Sequence, residues 1–113
     1  MKVKDLLKLD SIHLLTKNGN MNQNISDMYT CDLLSWVMGK VRKEDVVLLT
    51  VLKSMNAVAI ASLLNLSAVI FCEGVTPDQS IIDKANDENI NIFVSSKTSC
   101  ETAIDMYKYE SIL

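Results

Sequence analysis

The sequence is short of the residues that mark flexible or reactive proteins. Its 113 residues include three Gly, one Pro and one His, and aromatic residues make up only 5%. So few Gly and Pro argue against a linker, a repeat array or a disordered tail. A chain of this length is one ordinary domain, and we expect residues 1–113 to fold as a single unit.

Charge and metal-ligand content exclude further classes. Eleven Lys and Arg against fourteen Asp and Glu give a net charge of -3, the wrong sign for non-specific nucleic-acid binding. The one basic cluster, residues 40–43, is predicted to be a helix C-terminus whose cations complement the dipole. His13 is the only histidine, and we interpret it as a surface or half-buried structural residue. No metal and no cofactor are predicted.

The three cysteines, Cys31, Cys72 and Cys100, contain no C-x-x-C pair and are odd in number. Buried, reduced thiols in a cytoplasmic protein are therefore the expectation. No signal peptide is visible, and the apolar stretch 57–72 is too short and too often interrupted by polar residues for a membrane span.

Apolar runs alternate with helical patterns along the chain. Three runs without polar alternation, 46–51, 67–72 and 90–94, are typical of strands covered on both faces. Shorter strands are predicted within 9–16 and at 28–31. The predicted helices lie at 2–9, 33–41, 57–64, 77–86 and from a cap at 98 or 99 to 109.

Capping residues set the predicted helix starts. Asp32 is the expected N-cap of the helix at 33–41, and Pro77 suits the first position of the next-to-last helix. Thr98 or Ser99 caps the last helix, where Glu101 faces the positive end of the dipole.

Helices between successive strands force those strands to run parallel, because each crossover returns the chain to the same end of the sheet. The predicted fold is therefore a small three-layer α/β sandwich, with a mainly parallel sheet and helices on both faces. Neither a Walker phosphate loop nor a dinucleotide-binding glycine motif is present, since the only Gly-Lys pair is Gly39-Lys40 and the three glycines lie far apart.

A ligand of such a sheet binds at the carboxyl ends of the strands, near the helix N-termini. The small polar residues at this edge are the candidate ligand-binding set: Ser54, Asn56, Gly74, Thr76, Ser95 and Thr98. Gly74 would let a backbone or a ligand approach closely. Helix capping alone also explains the hydroxyl and amide residues, and both interpretations stay open. Glu73 on the same edge opposes an anion.

Several segments resemble the DRTGG domain family in order and spacing across residues 2 to 109. They are residues 32–35, the strand that follows them, and the segments 56–61, 68–70, 73–74, 77–78 and 90–92. The resemblance implies a fold similar to the N-terminal domain of HPr kinase/phosphorylase and to the DRTGG module of CBS-domain pyrophosphatases. In that family the domain is an accessory or regulatory module, and catalysis lies elsewhere.

The resemblance further implies dimer formation and nucleotide sensing, and it carries over no catalytic residue. The family's Thr-Gly-Gly signature reads Ser26, Asp27 and Met28 here, so both glycines are replaced by residues with side chains. A role of those glycines in close approach to a ligand is therefore in doubt.

Three hypotheses of function follow. The first is a non-enzymatic regulatory or interaction domain that forms a homodimer and acts on or beside a partner enzyme. Its candidate interface residues are Met28, Tyr29, Trp36, Tyr107 and Tyr109. The second is a sensor that binds an adenine nucleotide or another anionic metabolite at the strand-end edge. The third, and weakest, is an enzyme with Cys72 or Ser95 as nucleophile. No nucleic acid and no membrane is expected as a partner.

Overall fold

The computed structural model describes all residues, 1–113, as five strands and four α-helices that follow a short N-terminal 3₁₀ helix, Val3–Lys8. The strands are β1 (Ile12–Leu14), β2 (Asp27–Thr30), β3 (Val46–Thr50), β4 (Ala68–Phe71) and β5 (Ile92–Ser95). The helices are α1 (Leu34–Lys40), α2 (Met55–Leu63), α3 (Gln79–Asp87) and α4 (Ser99–Ser111).

The five strands form one sheet in the order β1-β5-β4-β3-β2. Strands β2, β3, β4 and β5 run parallel to one another, and β1 is antiparallel to β5, with Ile12 opposite Ser95. Thus the predicted, mainly parallel sheet is confirmed. The antiparallel strand at the β1 edge is the one element whose direction the sequence pattern left open.

The side chains of β3 explain the three layers. Successive strand residues point to opposite faces. Val46 and Leu48 accordingly pack with α1, α2 and α3, whereas Val47 and Leu49 pack with α4 and the 3₁₀ helix. All five residues of β3 are buried, as the unbroken apolar run predicts. Helices cover both faces, and the predicted three-layer sandwich is confirmed.

Three residues with left-handed backbone lie in the joints that lead from a helix to the next strand. Asp45, Asn65 and Asn89 have φ of 62°, 52° and 58°, and each lies in the joint between a helix and the next strand. Asn and Asp tolerate this conformation better than other non-glycine residues. The helix-to-strand joints are therefore built without glycine.

Two predicted helix starts are wrong. Helix α1 has Leu33 at its N-cap, because the Asp32 carboxylate is bonded to the end of β3 instead. Helix α3 begins at Gln79 with Asp78 as N-cap, so Pro77 lies before the helix and not at its first position. In contrast, the cap of α4 is confirmed: Thr98 Oγ1 accepts from Glu101 N, and Glu101 Oε1 accepts from Thr98 N.

Candidate functional site

The six candidate ligand-binding residues lie at the end of β5 or after strands β3, β4 and β5, whose parallel arrangement puts their carboxyl ends at one edge of the sheet. Two of them cap helices. Ser54 Oγ accepts from Asn56 N at 3.1 Å at the start of α2, and Thr98 Oγ1 accepts from Glu101 N at 3.1 Å at the start of α4. Capping therefore occupies both hydroxyl oxygens, as the structural interpretation of these residues requires.

Ser95 is fully buried and belongs to a chain of hydrogen bonds beneath α4. Thr102 Oγ1 donates to the carbonyl oxygen of Thr98 at 2.7 Å, which uses its only proton. Ser95 Oγ must therefore donate to Thr102 Oγ1, 2.8 Å away, and it accepts from Lys97 N at 3.2 Å. The direction of every bond is fixed, and the Ser95 hydroxyl faces the protein interior.

Gly74 has a conformational role. Its φ is +69°, and no atom lies within 4 Å of the position that a Cβ would take, so the turn needs glycine for its backbone and not for close packing. Gly74 N donates to Ser95 O, and Glu73 N donates to Lys97 O, both at 2.8 Å. The loops after β4 and β5 are thereby held together. Thr76 in the same loop is exposed.

A groove of about 420 Å³ opens at the C-terminal end of β2, beside α4. Residues 30–32 form one wall. The other wall is the face of α4 made by side chains three and four positions apart: Ser99, Cys100, Ala103, Ile104 and Tyr107. None of the six candidate residues lines this groove. The sequence pattern missed it because it depends on how α4 is rotated against β2.

Asp32 is the one charged residue of the groove. Its Oδ1 accepts from Thr50 Oγ1 and from Val51 N, each at 2.8 Å, and this fixes the carboxylate against the end of β3. Its Oδ2 accepts no hydrogen bond within the chain. The carboxylate that lines the groove is therefore held in place through one oxygen and keeps the other as a free acceptor.

The three cysteines differ in environment, so the expectation that all are buried is wrong. All three are free thiols, but only Cys72 is buried, while Cys31 is half-buried and Cys100 is exposed in the first turn of α4. Burial raises the pKa of the Cys72 thiol above its ordinary value. Cys72 is consequently a poor nucleophile.

Four of the five candidate interface residues lie around β2, an edge strand of the sheet. Met28 and Tyr29 are half-buried in β2, Trp36 Nε1 donates to the Tyr29 hydroxyl at 3.1 Å, and the Trp36 ring is 51% exposed. Tyr107 is 49% exposed and lies across the same edge. Tyr109 is half-buried on α4.

Asp27 on β2 links this edge strand to Tyr107 on α4 and to Lys43. Its Oδ1 accepts from the Tyr107 hydroxyl at 3.0 Å and from Met28 N at 2.9 Å, and its Oδ2 pairs with Lys43 Nζ at 3.1 Å. Partial burial opposes ionisation, but these hydrogen bonds outweigh it and hold the pKa of Asp27 below its ordinary value. The bond to Asp27 in turn raises the pKa of Tyr107.

The basic cluster is engaged within the fold. Arg42 donates to the carbonyl oxygens of Met38 and Val41 at the end of α1, each at 3.4 Å, and Lys40 Nζ lies 4.7 Å from the centroid of the Trp36 ring. Both contacts agree with its interpretation as the C-terminus of a helix. His13 is exposed on β1, and no group of three His, Cys, Asp or Glu side chains is arranged to hold a metal. None of the helices is sufficiently long and apolar to span a bilayer.

Comparison with known proteins supports the fold assignment. No protein-family model and no curated protein sequence matches the chain. Its fold is similar to a crystal structure of the CBS and DRTGG domains of the regulatory region of Clostridium perfringens pyrophosphatase, complexed with the activator diadenosine tetraphosphate. The TM-score is 0.73 at 15% identity over 96% of this chain, which spans 46% of the pyrophosphatase chain. The chain thus has a small α/β fold of DRTGG type, and the predicted resemblance is confirmed at the level of the fold.

Proposed function

We propose that this protein is a non-enzymatic regulatory domain that forms a homodimer and acts on or beside a partner enzyme. The observation that carries the proposal is the similarity of its fold to a regulatory region, that of the clostridial pyrophosphatase. Absence of a poised nucleophile adds support, since Cys72 is buried with a raised pKa and the Ser95 hydroxyl donates to Thr102.

The face around β2 is the proposed dimer interface. Trp36 and Tyr107 expose about half of their surfaces there, and aromatic residues are enriched among the residues that dominate binding energy. Self-association would proceed through side chains, because Asp27 already occupies the amide of Met28 on this edge. Burial of the Trp36 ring against a second copy supplies the main apolar contact.

Sedimentation equilibrium of the purified protein tests the dimer. We expect a dimer at high micromolar concentration. Trp36→Ala should weaken dimerisation by about tenfold or more, as for a typical interface hot spot. Leu63→Ala is the matched control, because Leu63 is 69% exposed on α2, away from β2. A wild-type monomer at high micromolar concentration would refute self-association.

A small-ligand sensor is the second candidate, with an adenine nucleotide or another anionic metabolite bound at the strand-end edge. It is favoured by the activator present in the related pyrophosphatase structure, diadenosine tetraphosphate. Thermal-shift measurements against nucleotides and phosphorylated metabolites test it. A ligand at a hundredfold excess over Kd stabilises the folded state by about 2.7 kcal/mol. No shift across the panel would leave the interaction role alone.

A further inference from the structure

The chemistry of the groove between α4 and residues 30–32 selects against a phosphate. No Lys, Arg or His lines it, and its one charged group is the carboxylate of Asp32. A phosphate placed there would meet a negative charge without a cation to offset it. Yet the volume, about 420 Å³, lies within the range of about 300–1,000 Å³ that is typical of small-molecule sites.

The same groove suits an uncharged group that donates hydrogen bonds. Asp32 Oδ2 is a free acceptor whose position is fixed by the two bonds to Oδ1, so it needs no reordering to receive a donor. A vicinal diol offers two hydroxyl donors to such a carboxylate. Across the groove, Ile104 is 47% exposed, and together with Ala103 it forms an apolar wall on which a flat ring can pack.

We infer that this groove binds the nucleoside part of a ligand, with the sugar diol on Asp32, the base against Ala103 and Ile104, and any phosphates outside in solvent. This inference rests on the second candidate function, the nucleotide sensor, and gives it a location. It also moves the site away from the capping residues Ser54 and Thr98.

Alkylation of Cys100 reports on occupancy of the groove. This thiol is exposed and lines the groove, and tryptic cleavage after Lys97 and Lys108 isolates it from the other two cysteines. The probe ligands are adenosine, ATP and inorganic triphosphate at millimolar concentration, with N-ethylmaleimide as the alkylating reagent. Adenosine and ATP should each slow the modification of Cys100, by about tenfold at ten times Kd, and triphosphate should not.

The variant Asp32→Asn isolates the proposed contact. The Asn side-chain oxygen can still accept from Thr50 and Val51, while its NH₂ group replaces the free acceptor with a donor. We expect a loss of adenosine affinity of about tenfold or more, the worth of a hydrogen bond to a charged group. Asp87→Asn, an exposed carboxylate at the end of α3, should bind as the wild type does. Ile104→Ala, a truncation at the surface, should also weaken binding without altering the core.

The outcomes separate the inference from the function beneath it. If nucleotides raise the melting temperature but leave Cys100 unprotected, the sensor function stands and this site is wrong. If ATP and triphosphate protect Cys100 while adenosine does not, the groove binds phosphate and the inference is overturned. If no nucleoside or nucleotide shifts the melting temperature, both the sensor function and this site are wrong.

Discussion

The hydroxyl chain beneath α4 offers a sharp test of how the buried polar groups are arranged. Its order is Lys97 N–H to Ser95, Ser95 to Thr102, and Thr102 to the carbonyl of Thr98. Ser95 and Thr102 are both fully buried, so neither hydroxyl can turn to bulk water. Removing one member of the pair must therefore leave a polar group of the other without its partner.

The magnitudes follow from the direction of each bond. Thr102→Val leaves the Ser95 proton with no acceptor, and we expect a cost of about 1–3 kcal/mol. The Thr98 carbonyl keeps its bond from Thr102 N at 2.9 Å, so it adds little to this cost. Ser95→Ala removes the donor to Thr102 Oγ1 and should cost about as much. The loss of unfolding free energy in the double variant should be smaller than the sum of the two single losses by at least about 0.5 kcal/mol. The reason is that the double variant removes both hydroxyl groups, so neither is left without its partner.

Urea unfolding of the four proteins of this cycle, followed by far-ultraviolet circular dichroism, measures the coupling. A small domain has a total stability of about 5–15 kcal/mol. With a urea slope of about 1–3 kcal/mol per molar, each single variant should lower the midpoint by about 1 M. Ser95→Ala combined with Ser67→Ala is the control, since Ser67 lies about 16 Å away, five strand residues toward the other end of β4. If the losses of unfolding free energy for Ser95→Ala and Thr102→Val were additive, the proposed order of hydrogen bonds would be refuted.

Further predictions concern two glycines, a carboxylate and a thiol. Gly39→Ala should stabilise the protein by about 0.5–1 kcal/mol, because this glycine lies in α1 and no atom lies within 4 Å of a new Cβ. Gly19→Ala should destabilise the protein, because its Cβ would lie 2.0 Å from the buried Asn91 Oδ1. The urea midpoints of the two variants measure both effects. The lowered pKa of Asp27 stabilises the folded state above the unfolded value of about 3.9, and this contribution is lost as pH falls through the folded pKa. Asp27→Asn should therefore show a smaller loss of stability between pH 5 and pH 3 in acid titrations than the wild type; an equal loss would contradict the assignment. Cys72 should react with Ellman's reagent only on unfolding, while the other two thiols react in the native state; three fast thiols would refute its burial.

The elements that could be predicted from the sequence are those whose signal is local. The unbroken apolar runs predicted β3, β4 and β5 to within about two residues, because a strand covered on both faces needs no polar position. Likewise, the cap of α4 was predicted to be Thr98 or Ser99 with Glu101 in the first turn, and the structure has Thr98 at the N-cap, a signal confined to four consecutive residues. Both signals depend on neighbours along the chain.

The errors involve contacts between distant residues. Aspartate is a preferred residue at helix N-caps, but the Asp32 carboxylate accepts hydrogen bonds from Thr50 and Val51, eighteen and nineteen residues away. Cys100 was expected to be buried, yet it lies on the side of α4 that faces the groove and not the core. The groove itself joins the end of β2 to a helix near the C-terminus, and no pattern along the chain specifies how those two elements face each other.

The bond between Asp27 and the amide of Met28 has a consequence for the behaviour of the chain at high concentration. Cys31 N donates to Leu49 O on β3, so by the alternation of a strand the amides of Met28 and Thr30 point away from the sheet. An exposed row of such donors is a template for fibril growth, and charged side chains at the margin of a sheet suppress it. At neutral pH the Asp27 carboxylate, paired with Lys43, bonds to the Met28 amide and opposes the pairing of another strand with this edge. Strong acid would protonate Asp27 and favour aggregation through this strand.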